Sequence, residues 1–349
     1  MPNLFFPFLH YSNILLLQHS PPPVDERGEL GSITFRGGIV GCRITILLSV
    51  VLTMLMGCSA FQRTPMPLLP ENVPSSHELD TVPFYPQDAY QCGPATLAMA
   101  LTWSGLAVAP DELNNQVYSP SRKGSLQLAM VGATRRHGKI AYEINDPDSI
   151  FPEIAAGHPV IILQNLGLSW LPVWHYAVAI GYDLNEEVII LRSGTARRKL
   201  MSYYLFEKTW ARSNYWGLMV LEPTQVPVLA NENEYLQAVL GLEKSNHFDD
   251  AVTGYQTALG RWPRSLTALM GLGNSYYALG DMKGAEYAFR KATELYQQSA
   301  PAYNNLAQVL FEQGRKQEAL AAAQRAVDLG GPLKSISEKT LQEIQSEIP

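Results

Sequence analysis

Three cysteines in 349 residues, at positions 42, 58 and 92, are too few and too scattered for a disulfide framework. Charge is also scarce, at 17 % of residues, and 26 Lys and Arg against 32 Asp and Glu leave a formal net charge of −6. Without a basic excess, nucleic acid is not expected as a partner, and no long solvated tail stands out. The apolar run over 44–56 has thirteen residues, interrupted only by Thr and Ser, which is too short to span a bilayer. No metal or cofactor is expected.

That short run suits the apolar region of an export signal, with Arg36 and Arg43 as its positive flank. It ends in Leu55-Met56-Gly57-Cys58, which resembles the lipobox of bacterial lipoproteins. The resemblance implies that Cys58 is acylated and becomes the mature N-terminus, while Cys42 leaves with the leader. Residues 1–57 are therefore read as a leader region, its first part a mis-assigned start with the true one nearer Val40. The Pro-, Ser- and Thr-rich stretch over 58–78 reads as a tether from the membrane. Export to the periplasmic side of the cell envelope follows from this reading. By analogy with other lipoproteins, Ser59 favours the outer membrane over the inner.

Cys92 is then the one thiol left free. It opens the segment Cys92-Gly93-Pro94-Ala95-Thr96-Leu97, where Pro94 suits a first helical turn and Gly105 can close the helix in the left-handed conformation. A thiol at a helix N-terminus is expected to shift toward thiolate, below its ordinary pKa of about 8.5. Gln87, five residues upstream, can aim an amide N–H at the same point. Helices are expected over 93–104, 109–117, 125–137 and 148–156, and strands over 159–163, 175–182, 187–192 and 216–221. Helices first and antiparallel strands afterwards make an α+β domain over 79–223. Two histidines lie late enough to meet Cys92 from the sheet. His158, in an Ala-Gly-His-Pro turn, reads as part of a solvated loop; His175, at the mouth of an alternating strand, is the candidate base. Trp170 and Trp174 are read as walls of a substrate pocket or as core. Lys123-Gly124-Ser125 reads as a helix cap.

Cysteine on a helix, Gln ahead of it and His on a later strand follow the papain-like plan. The match resembles more closely the double-glycine leader peptidases associated with bacteriocin exporters and their stand-alone relatives. Four elements carry it in order: Val82 to Gln87, Cys92 to Pro94, Ala156 to Val160, and His175 to Asp183. The resemblance implies a papain-like fold and peptide hydrolysis, with Cys92 as nucleophile, His175 as base, and the Gln87 side chain with the Cys92 N–H as oxyanion donors. Amide hydrolysis or transamidation is a weaker reading of the same residues.

The family's Asp-Pro, which orients the His, is missing: the corresponding stretch reads Ile190-Leu191-Arg192-Ser193-Gly194. Asp183 lies eight residues beyond His175 on the same strand, roughly 26 Å away, and belongs to the hairpin turn. Folding back about that turn pairs positions whose numbers sum to about 369, which sets His175 opposite 193–195. Ser193 is therefore expected to orient His175 by accepting from Nδ1–H. An inward-pointing Arg192 would oppose the imidazolium.

Beyond a linker over 224–231 the chain repeats. Ala251, Ala285 and Ala319 are 34 residues apart, as are Ala258, Ala292 and Ala326, while Gly280 and Gly314 mark turns. This period resembles three tetratricopeptide repeats over 232–333, with an amphipathic capping helix over 334–349. The expected architecture is thus an α+β papain-like peptidase domain followed by an all-α repeat array. The expected function is that of a membrane-anchored exported cysteine peptidase, acting on a peptide or protein substrate, whose repeat groove recruits a protein partner. The alternative is a catalytically weak or inactive adaptor on the same fold.

Overall fold

The computed structural model describes residues 73–87 and 91–347. The expected leader, Cys58 with its acyl anchor, and most of the tether lie outside the described residues. Among the described residues, no helix is long and apolar enough to cross a membrane.

The first half is built on an antiparallel sheet of β1 (Ser76–Glu78), β4 (Ile140–Ile144), β5 (Val160–Asn165), β6 (Trp174–Asp183), β7 (Val188–Ser193), β8 (Ala196–Ser202) and β9 (Gly217–Leu221); β2 (Tyr118–Ser119) and β3 (Gly124–Ser125) form a separate two-residue ladder. Strand order is β4-β9-β5-β6-β7-β8, and β1 pairs with the end of β6 beyond the reach of β5. Every residue of β5 is buried, as a strand covered on both faces must be. Helix α1 (Cys92–Trp103) is buried continuously from Gly93 to Leu101, the mark of a helix enclosed all round rather than laid on a surface. Gly105 closes it at φ +85°, and its N–H bonds the Thr102 carbonyl, as expected.

Four further helices flank the sheet: α2 (Pro110–Val117), α3 (Gln127–Arg136), α4 (Ile150–Ala155) and α5 (Tyr203–Ala211). Several local expectations need correction. Gly124 and Ser125 belong to β3 rather than to a helix cap, and α3 begins only at Gln127, after Lys123 has turned the chain at φ +48°. Strand β4 interrupts the run of helices and pairs with β9, about eighty residues later, so the order is not simply helices and then strands. The β6–β7 register also differs. Pairs sum to 371 near the turn and to 370 beyond a bulge at Ile180, because the extra residue slips the ladder.

The repeats are α6 (Glu232–Glu243) to α11 (Lys316–Leu329), capped by α12 (Lys334–Ser346). All six alanines at the 34-residue spacing are fully buried. Small residues there let paired helices close up, and aromatic rings fill the space between: a Cβ on Gly273 would collide with the Phe289 ring. Gly280 and Gly314 both adopt φ +77°; the first repeat uses Asn246 at φ +61° in the matching place. Asn is the non-glycine residue best suited to that region.

One continuous core joins the sheet to the first repeats, running through Ile140, Tyr142, Tyr235, Leu242 and Leu272. The Tyr142 hydroxyl donates to Glu234 Oε2 at 2.9 Å, and His247 Nε2–H donates to the Arg136 carbonyl at 2.9 Å. Gly241 leaves room for the Arg135 side chain, which lies across α6 where a Cβ would displace it.

Candidate active site

Cys92 is the first residue of α1, and the preceding Gln91 makes no side-chain cap. The first backbone N–H groups of the helix are therefore left for whatever occupies this end. Gly93 is needed for approach: a Cβ there would coincide with the Ser125 hydroxyl. Ser125 in turn is tied to β6, its carbonyl accepting from the Tyr176 hydroxyl at 3.2 Å. The Tyr176 backbone N–H and the N–H groups of Gly93 and Cys92 face the Cys92 sulfur and favour its thiolate. Burial works against them and is the larger effect, so the thiol is pushed up rather than down. The expected thiolate-favouring shift is thereby corrected: the helix start is right, but the sulfur is too deeply placed for the N–H groups to prevail.

His175 lies next to Tyr176 at the mouth of β6. Its Nε2 is 2.9 Å from Ser193 Oγ. Ser193 is hydrogen-bonded to His175, but through Nε2 rather than the expected Nδ1. Among the described residues no hydrogen bond joins Cys92 to the His175 ring. Burial, with a smaller contribution from the Lys199 cation, lowers His175 to about 4. Arg192 is not the opposing charge. Its guanidinium donates to the carbonyls of Val82 (3.0 Å), Asp80 (2.7 Å) and Arg197, pinning the segment that leads to Gln87.

Gln87 is buried and clasped by Gly194. The Gln87 N–H donates to the Gly194 carbonyl at 3.1 Å, and the Gly194 N–H donates to Gln87 Oε1 at 3.0 Å. Gly194 turns at φ +59°, a conformation glycine adopts without strain. Gln87 Nε2 is buried and finds no acceptor among the described residues. An orphaned buried donor costs stability, typically about 1–3 kcal/mol. It is retained where a ligand completes it. Ser193 and Gly194 thus hold His175 and Gln87 from adjacent positions. Gly194, Ser125 and Lys199 were missed in the sequence; only Gly194, a lone glycine at a strand end, carried a signal that could have marked it.

His158 does not sit in a solvated loop. It is buried, with Nδ1 2.8 Å from Glu153 Oε2, and the other Glu153 oxygen accepts the Leu229 N–H at 3.0 Å. This pair fastens the linker to the domain and takes no part in the cluster around Cys92. Trp170 and Trp174 are not core: 77 % and 50 % of their surfaces are exposed. Among the described residues, no group of three His, Cys, Asp or Glu side chains is placed to hold a metal ion.

Residues 79–217 match the family model described as Peptidase_C39 like family. Residues 236–300 and 288–321 match two models described as Tetratricopeptide repeat. The chain therefore carries a C39-like peptidase domain followed by tetratricopeptide repeats. Among solved structures, a Bacillus anthracis protein described as C39-like is 18 % identical, with 42 % of this chain and 97 % of that one covered and a TM-score of 0.37. The Yersinia enterocolitica type III secretion chaperone SycD, solved with a peptide of the translocator YopD, is 16 % identical over 34 % of this chain and 98 % of that one, at a TM-score of 0.32. No curated protein matches the chain.

Proposed function

We propose that the chain is a cysteine peptidase, exported and held at the periplasmic face of the cell envelope by an acylated Cys58, whose repeats recruit a protein partner or substrate. The observation that carries the catalytic part is Gln87 Nε2, a buried donor without an acceptor among the described residues, a few residues ahead of a thiol on an uncapped helix start. Nδ1 of His175 takes the proton from Cys92, and the sulfur bonds to the carbonyl carbon of a peptide. Gln87 Nε2 and the Cys92 N–H donate to the oxyanion that results. Nδ1–H then protonates the leaving amine as the C–N bond breaks. Water, giving its proton to Nδ1, attacks the thioester and releases the acid and the thiol.

A neutral Ser193 in place of the usual carboxylate, with burial holding Cys92 and His175 neutral, supports a second reading. On that reading the domain turns over slowly or not at all and serves as an adaptor for the repeats.

Labelling separates the two. The full chain, incubated with a thiol-directed epoxide, is expected to carry the adduct on Cys92, and a preincubated sample should lose its cleavage of a mixed peptide pool. Absence of both adduct and cleavage would establish the adaptor. The anchor is tested apart from this: Cys58→Ser should abolish incorporation of a fatty-acid analogue in bacteria, and equal incorporation would refute acylation at that residue.

A further inference from the structure

Residues 166–174, between β5 and β6, read Leu-Gly-Leu-Ser-Trp-Leu-Pro-Val-Trp and contain no charge. They form a hairpin whose backbone is thoroughly engaged within itself. The Leu166 N–H donates to the Val173 carbonyl at 2.9 Å, and Leu168 and Leu171 exchange a pair of bonds at 3.1 Å. Asn165 Oδ1 accepts the N–H groups of both Gly167 (3.0 Å) and Val173 (2.9 Å). Arg212 donates to the carbonyls of Asn165 and Gly167. Gly167 has no room for a Cβ against the Leu171 carbonyl. A segment so fastened is rigid, yet Trp170, Leu171, Val173 and Trp174 are 77, 61, 54 and 50 % exposed. Large apolar side chains left bare together on one short hairpin of a folded domain mark a contact.

Its position says with what. Trp174 directly precedes His175, so the hairpin leaves the sheet at the base itself. The bond from Tyr176 to Ser125 brings a second bare segment to the same end of β6, with Leu126 and Leu128 exposed. Ser125 packs on Gly93, beside the thiol. Exposed apolar side chains thus flank, in the chain, the residues that carry the candidate site, on the sheet before His175 and at the start of α3 after Ser125. Because the hairpin's own N–H and C=O groups are engaged, it offers side-chain contact rather than an edge for strand addition.

Resting on the peptidase reading, we propose that hairpin 166–174 is the platform that selects substrate: peptide segments with large aliphatic or aromatic side chains close to the scissile bond. Such side chains are buried in folded proteins. A rigid platform that requires them beside the cut therefore selects unfolded or flexible chain. Its rigidity lowers the ordering cost of binding.

The test uses the full chain and a random peptide library. Cut sites are expected to be enriched in Leu, Ile, Phe and Trp within a few positions of the cleaved bond. The double variant Trp170→Ser/Leu171→Ser, at exposed positions that the fold does not need, should lose that enrichment. KM for apolar peptides should rise about tenfold, more than kcat falls, as for removal of a contact hot spot, while iodoacetamide still alkylates Cys92. Cleavage without enrichment, or enrichment unchanged in the variant, would overturn the inference and leave the peptidase standing. If the wild type reacts with iodoacetamide but cuts nothing, the peptidase reading fails. In that case anisotropy with one labelled apolar peptide and its Ser-substituted counterpart decides the platform, and equal affinity for the two overturns it. A variant with unaltered selectivity that no longer sediments with anionic lipid vesicles would assign the surface to lipid and overturn the inference as well.

Discussion

Replacing Gln87 with Glu is expected to reduce kcat by about 10²–10³, with Gln87→Ala close behind and Cys92→Ala showing no turnover. The magnitude is that of losing one oxyanion donor in a site shielded from water. Glu is the more incisive change because it separates the two ends of the side chain. Oε1 can still accept the Gly194 N–H, so the clasp to the β7–β8 turn survives. What disappears is the Nε2 donor, replaced by an acceptor facing a developing negative charge. Because Nε2 has no partner among the described residues, no hydrogen bond is lost with it, but a carboxylate buried in its place carries a desolvation cost. Gln87→Glu should therefore melt a few degrees below wild type and still unfold in one transition. A folded variant, checked by its melting curve, that retains kcat would remove Gln87 from the chemistry.

A second large effect is expected at Ser193. In the wild type His175 is neutral above about pH 4 and the Cys92 thiol stands above its ordinary value. Reactive thiolate therefore appears only as the pH climbs through that raised value, and alkylation by iodoacetamide should follow a single rising limb in the alkaline range. Ser193→Asp places a carboxylate against Nε2. An opposite charge at that distance raises the His by about one to three units, and the imidazolium so stabilised supports thiolate beside it. Each unit by which the thiol falls multiplies thiolate near pH 6–7 about tenfold. Alkylation at pH 6.5 should then rise about ten- to a hundredfold and develop a second, acidic limb. Arg192 does not intercept the new charge, being committed to three carbonyls. Lys199 is the cation that competes for it. A pH–rate profile identical in the two proteins would show that Ser193 does not govern the His175 charge.

The parts of this arrangement that were legible in the sequence are those set by local chemistry. Pro94 and Gly105 delimit a helix because one lacks an N–H and the other a Cβ. The alanines at the 34-residue spacing mark a repeat because only small side chains let helices approach so closely. Positions that depend on long-range packing were not legible. The bulge at Ile180 is invisible in Ala-Val-Ala-Ile-Gly-Tyr, yet it slips the β6–β7 register. His158 looked solvated because Gly and Pro flank it; only the fold reveals Glu153 behind it. Trp170 and Trp174 have the composition of core, and their exposure depends on Asn165 and Arg212 gripping the hairpin from outside it. The Cys92 thiol shows two true local effects in competition. The helix start was readable, whereas the depth of burial that outweighs it was not.

The core that passes from Ile140 through Tyr235 to Leu272 is shared by the two halves, which should therefore unfold in one cooperative transition. Cut after Pro223, the sheet would lose the cover over Tyr142; started at Glu232, the array would open Tyr235 and Leu242 to water. The first helical pair is consequently as much the outer wall of the enzyme-like half as the beginning of the array. Evolution could lengthen or shorten this chain at its far end, where α12 merely closes a stack. It could not have exchanged one complete array for another without rebuilding the seam along β4.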